Sequence, residues 1–170
     1  MRIITLLLVL CSVFNTYAQE SNATEKSVTT FYLINNAEKK APTEEQKDPY
    51  LTEAGLARAE KWSNVFKNVS FDAVYSINTI SAQQTAQAIA QSQKASLYQF
   101  DTTKMYDASF KYLTTGKNIL IVGNNETSTK LANQILDKEQ YSLIPNDNFG
   151  RLYIINVVNT TKNATVLTID

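Results

Sequence analysis

Thr30-Phe31-Tyr32-Leu33-Ile34-Asn35-Asn36-Ala37-Glu38-Lys39 passes in one step from β-branched and aromatic residues to amides and charges. The first half has the composition of a buried strand, and the second half that of a loop leaving it. The change recurs downstream, where Phe71 to Ser76 runs into Ile77-Asn78-Thr79-Ile80-Ser81. It recurs again where Asn118-Ile119-Leu120-Ile121-Val122 runs into Gly123-Asn124-Asn125-Glu126. A helical period follows each exit. Leu56, Ala59, Ser63 and Phe66 line one face of a helix that Thr52 can cap, after a polar loop from Asn35 to Asp48. Ala82, Ala86, Ile89 and Ala90 give Ser81 to Lys94 a face of small residues, and Leu131, Ala132, Ile135 and Leu136 face inward on Glu126 to Leu136. Leu97 to Phe100 reads as a short strand. A weaker helical pattern covers Thr103 to Leu113 and is closed by Gly116. Leu152 to Val158 and Thr165 to Ile169 read as a final hairpin about Asn159 to Asn163.

Alternation of this kind predicts an α/β fold: a three-layer α/β/α sandwich with a mostly parallel central sheet and a C-terminal hairpin. With no internal repeat or long linker, residues 29–170 read as a single domain. Such sheets bind ligands outside the carboxyl ends of their strands, so the exits quoted above are the places for function.

Composition narrows the chemistry. The 170 residues carry 16 Lys plus Arg against 16 Asp plus Glu, with 44% hydrophobic and 19% charged residues. That balance describes a globular domain and argues against disorder or nucleic-acid binding. Trp62 and the tyrosines show no interleaving with basic residues, and Trp62 reads as a core residue between helix and sheet. Histidine is absent and cysteine occurs once. A chain without His has no Ser-His-Asp triad, no phosphohistidine relay and no His-metal site.

The N-terminus reads as an address. Arg2 precedes an apolar run from Ile3 to Phe14, shorter than the roughly 20 residues of a membrane span. Asn15-Thr16-Tyr17-Ala18 completes a signal-peptide pattern over residues 1–18, with a flexible lead over 19–28. Export to the periplasm or medium is therefore expected, with no integral membrane segment left after cleavage. A lipoprotein anchored through Cys11 is the minor alternative, and the bulky Leu10 argues against it. Cleavage after Ala18 removes Cys11, so the mature chain has no disulfide and no thiolate.

The strand exits also carry a resemblance. Tyr32-Leu33-Ile34-Asn35-Asn36-Ala37-Glu38-Lys39 resembles the Tyr-Leu-Val-Arg-His-Ala-Glu-Lys motif of the small exported branch of the histidine phosphatase superfamily, the phosphoglycerate mutase-like fold. Asp48 to Glu60, Tyr75 to Ala86 and Ile121 to Thr127 are similar to the family's later motifs, in order and with matching spacing. In that family one His attacks the phosphoryl group, while two Arg and a second His hold its oxygens. By register these places fall on Asn36, Asn35, Ser81 and Asn124, and each has lost its family residue. The resemblance therefore implies the fold without its catalytic set. Asn and Ser donate hydrogen bonds but bring no charge to a developing phosphoryl transition state.

The expected product is a pseudoenzyme that binds a small polar ligand or a protein partner. Its degenerate pocket would comprise Asn35, Asn36, Ser81, Asn124 and Asn125, with Glu38, Lys39 and Glu126 at its edge. A residual or repurposed phosphatase or hydrolase using Glu38, Glu126 or Lys39 is the alternative. The functional reading of the amides is a neutral pocket rich in donors and acceptors, and the bland one is a decayed site that holds water. For Glu126 the bland reading is complementation of a helix dipole. No cofactor and no metal site is expected. The Asn-x-Ser/Thr triplets at Asn22, Asn68, Asn125, Asn159 and Asn163 read as composition rather than glycan acceptors.

Overall fold

The computed structural model describes residues 27–145 and 147–170. The expected signal peptide, Cys11, the Asn22 triplet and most of the expected lead lie outside the described residues. Among the described residues ten elements follow one another: β1 (Val28–Asn35), α1 (Glu53–Val65), β2 (Ala73–Ser76), α2 (Ile80–Gln93), β3 (Leu97–Gln99), α3 (Ala108–Thr114), β4 (Asn118–Gly123), α4 (Asn125–Leu136), β5 (Arg151–Val158) and β6 (Thr161–Thr168). The six strands form one sheet in the order β3-β2-β4-β1-β5-β6. β3, β2, β4 and β1 are mutually parallel, while β5 runs antiparallel to β1 and pairs with β6 as a hairpin. This is the mostly parallel α/β sheet expected from the alternation.

Side chains on β1 alternate between two helical layers, as the period of two in a strand requires. Phe31 packs edge-on against Tyr106 and stacks with Phe110 of α3 on one face. Tyr32 meets Phe66 and Phe71 on the other, beside α1. α2 packs against α1 and over β2 and β4, while α4 lies across β1, β4, β5 and β6. Leu33, Ile34, Leu120 and Val122 at the sheet centre are fully buried. Each such side chain contributes about 1.5–3 kcal/mol relative to exposure. The small face of α2 behaves as its spacing predicts, with Ala82, Ala86 and Ile89 wholly buried.

Four expectations need correction. The inward face of α1 is Gly55, Ala59 and Trp62, continued by Phe66, and Leu56 is 53% exposed. Close approach sets that rotation: a Cβ on Gly55 would stand 2.0 Å from the Glu38 carbonyl oxygen. The glycine must face the loop after β1, which turns Leu56 outward. On α4 the inward residues are Leu131, Ala132 and Ile135, joined by Thr127 to Thr129 and Asn133, with Leu136 only half-buried. α3 begins at Ala108 rather than Thr103, because Asp107 caps it by accepting from the Phe110 amide at 2.8 Å. The final hairpin turns on Asn159-Thr160 alone, with Asn159 at φ 55°, so β6 starts at Thr161. Thr161 and Asn163 look like turn residues in the sequence because every second side chain of this edge strand faces solvent.

Among the described residues no helix is long and apolar enough to cross a membrane. No group of three or more His, Cys, Asp or Glu is placed to hold a metal ion, again among the described residues.

Candidate functional site: a neutral cleft at the ends of β1 and β4

β1 and β4 are neighbours in register, with Asn35 opposite Gly123, so their exits emerge side by side. The chain after β1 leads to α1 on one face, and the chain after β4 enters α4 on the other. A crevice opens where the two connections diverge, as expected at such a switch point. It is a cleft of about 390 Å³ lined by Asn35, Asn36, Lys39, Asn124, Asn125, Glu126 and Phe149. A second lobe of about 380 Å³ shares Asn124 and Glu126 with it and extends to Asn78, Thr79 and Thr102.

Six of the residues expected from the sequence therefore meet in one cleft, and Ser81 and Glu38 do not line it. Ser81 is fully buried in the first turn of α2, and its Oγ has no hydrogen-bond partner among the described residues. Glu38 accepts from Arg58 Nε through both carboxylate oxygens, at 2.8 and 3.0 Å. Lys39 is exposed and is the one cation lining the first lobe, while Lys130 lines the second. Glu126 lies in the first turn of α4 and pairs with Lys130 at 2.6 Å. The hydrogen bond from Lys130, then its charge, holds the Glu126 carboxyl below its ordinary value.

The amides divide by which end is already used. Asn35 and Asn36 are buried, at 6% and 8% exposure. Asn35 Nδ2 donates to the Asn148 carbonyl at 3.3 Å, and its Oδ1 is buried without a partner among the described residues. Asn36 Nδ2 donates to the Ala37 carbonyl at 2.9 Å. Asn124 caps α4, its Oδ1 accepting from the Thr127 amide at 2.8 Å. Asn125 uses both ends on Ile144, donating to its carbonyl and accepting from its amide. That clip returns the segment after α4 to the cleft. Asn133 assists by accepting from the amides of Gln140 and Tyr141 at 3.1 and 2.9 Å.

Two contributors escape the sequence reading. Phe149 forms a wall of the cleft, delivered by the segment that Asn125 and Asn133 fasten. Arg58 sits with its guanidinium 6.0 Å from the Phe149 ring centroid while it binds Glu38. The pair Glu38 and Arg58 spans β1's exit and α1, and no local pattern marks it. Asp48 serves the fold: its carboxylate accepts from the Ile80 amide at 2.8 Å and fixes the start of α2.

Residues 31–103 match the model of the histidine phosphatase superfamily (branch 1). Among solved structures, YhfR of Bacillus stearothermophilus superposes with a TM-score of 0.64 at 17% identity, covering 84% of this chain and 98% of that one. Phosphoglycerate mutase from Bacillus anthracis gives 0.62 at 15%, covering 86% and 94%. SixA from Agrobacterium tumefaciens gives 0.60 at 18%, covering 83% and 99%. Curated protein sequences give no match to the chain.

Proposed function

We propose that this chain, which carries the histidine phosphatase superfamily fold, is a non-catalytic member that uses the cleft to hold an uncharged polar ligand. The observation that carries the reading is the meeting of Asn35, Asn36 and Asn124 in one cleft of a chain without histidine. These are the places where the sequence resemblance calls for a nucleophile and its phosphate-binding cations. A carboxamide is no substitute for an imidazole nucleophile, and removing a nucleophile can cost about a million-fold in rate. Lys39 alone does not replace the missing charge, and Glu126 places an opposing carboxylate on the same cleft.

The hydrolytic alternative fares worse against the same geometry. A carboxylate pair needs one member protonated near neutral pH. Glu38 is taken up by Arg58, and Glu126 is paired with Lys130 and held ionised.

The test is thermal unfolding of Gln19–Asp170 with and without millimolar phosphate or vanadate, paired with an assay on an aryl phosphate. A ligand at 100 times its dissociation constant adds about 2.7 kcal/mol, several degrees for a domain of this size. The expected result is no shift and no turnover. A shift with phosphate, or turnover that survives purification, overturns the reading. Export belongs to the same proposal, and the intact mass of protein recovered outside the cytoplasm is expected to begin at Gln19.

A further inference from the structure

We infer that the cleft is built to receive hydroxyl donors and that its ligand is an uncharged carbohydrate longer than one sugar ring; this rests on the non-catalytic reading above. The argument lies in which amide ends remain free. The partner's chemistry fixes each orientation: an amide end facing a carbonyl is NH₂, and one facing an N–H is oxygen. Asn35 and Asn36 each turn the NH₂ end toward a carbonyl, of Asn148 and Ala37, using one of its two N–H donors. Their oxygens remain, and Asn35 Oδ1 is buried at the cleft wall with no hydrogen bond from the described residues. Asn124 is the reverse, its oxygen spent on the cap of α4 and its NH₂ left over.

The cleft thus presents carbonyl oxygens on the β1 side and an amide donor on the α4 side. The oxygens of a phosphate monoester at neutral pH accept and scarcely donate, so the carbonyl oxygens of the β1 side offer them no hydrogen bond. A hydroxyl donates to one group while accepting from another, and adjacent hydroxyls on a sugar ring answer both sides at once. Leaving a buried acceptor unmet is costly, so a donor that reaches Asn35 Oδ1 gains more than a surface contact would. Phe149 supplies an apolar wall of the kind that small-molecule sites combine with a few placed polar groups. The positive end of α4 is already answered by Glu126 in its first turn, which leaves less attraction for a free anion. Length follows from the second lobe, which continues past Asn124 to Asn78, Thr79 and Thr102, with Met105 on its wall and Lys130, paired with Glu126, at its edge. One ring does not fill both lobes.

The experiment is titration calorimetry of Gln19–Asp170 with cellohexaose and maltohexaose, their single-ring sugars, their O-permethylated forms, and inorganic phosphate. Saturable binding of at least one hexaose is expected, at least tenfold tighter than its monosaccharide. Permethylation keeps the ether acceptors but removes every donor, and it is expected to abolish binding. Asn35→Leu and, separately, Asn36→Leu are expected to weaken the hexaose at least tenfold, with circular dichroism confirming the fold. If one variant does not fold, the other and the permethylated ligands decide. Binding of permethylated sugar as tight as the parent, or folded variants that bind unchanged, overturns the acceptor wall. Failure of both hexaoses overturns the carbohydrate assignment and leaves the non-catalytic reading standing, provided phosphate is inert. Phosphate binding overturns both.

Discussion

At the carboxyl ends of β1 and β4, Asn35 Oδ1 is buried with no partner among the described residues. At the other end of the same strands, Lys162 reaches Asp137, and Lys162 and Lys111 lie 5.8 and 4.5 Å from the centroid of the Tyr106 ring. This lower end also has a cavity, of about 340 Å³, lined by Thr29 before the core of β1, Thr114 and Thr115 ahead of β4, and the Asn159-Thr160 turn. The charges of the lower end are spent inside the fold. Lys162 of the edge strand β6 is tied to the residue that ends α4, and the neighbouring ring takes up the rest of its field. The upper end carries charge as well, on Lys39, Glu126 and Lys130, but it also has unspent hydrogen-bonding atoms. The comparison teaches that the place to look for a ligand is the place where the fold leaves polar atoms unanswered, and charge alone is a poor guide.

The strongest way to break this contrast is to force a further charge in beside the unspent atoms of the upper end. Ser81 stands where the resemblance expects an arginine, but its side chain is wholly enclosed. Ser81→Arg must either overpack the start of α2 or bury a guanidinium without a partner, and a loss of about 3 kcal/mol or more is expected. Urea unfolding measures it. A variant that keeps its midpoint and gains phosphate binding would show that this position opens onto the cleft and that the upper end lacks a phosphate site only by side-chain choice.

A smaller effect is expected from Asn125→Ala. The change leaves the amide and carbonyl of Ile144 without their side-chain partner, worth about 1–3 kcal/mol. The damage is directional. Gln140 and Tyr141 remain held by Asn133, so hydrogen exchange should quicken at Ile144 and beyond while Tyr141 keeps its protection. Uniform loosening from Leu136 to Phe149 would mean that the two asparagines act as one unit, and that the cleft wall moves with α4 instead of being clipped to it at separate points.

Much of this architecture is legible in the sequence because it rests on period. β1 and β4 are continuous apolar runs, and α2 shows its small face at helical spacing. The face of α1 is less legible, since a glycine adds nothing to a hydrophobic pattern and yet the contact of Gly55 with Glu38 sets the rotation of the helix. In the site, the asparagines are readable because they follow strands directly. Phe149 is not, because it arrives through side-chain clips from α4 rather than through any local pattern. Nor is the burial of Ser81, which depends on how α2 seats against α1 and the sheet. Which end of each amide is free depends on single hydrogen bonds to Asn148, Ala37 and Thr127, and a sequence does not show those.

The smallest predicted effect sharpens the contrast from the lower end. The Asp137 carboxylate accepts from Lys162, and that hydrogen bond, reinforced by the charges of Lys162 and Lys111, holds its pKa below the ordinary 3.8. A carboxyl depressed in the folded state contributes its stability in full above the unfolded value and loses it as pH falls through the folded one. The contribution of this pair is therefore expected at neutral pH and gone in strong acid. Asp137→Asn isolates it, because Asn tolerates the left-handed backbone at φ 52° and removes only the charge. Asp101 and Glu126 titrate in the same direction, so the readout is the difference between wild type and variant rather than the acid limb itself. That difference should be small, since Asp137 is 72% exposed and exposed pairs contribute little. It should close as pH drops below 3.8 and shrink at high salt. A difference that persists unchanged into strong acid would mean that Asp137 holds β6 by shape rather than by charge, and the two ends of the sheet would then differ in packing instead of in how their polar groups are spent.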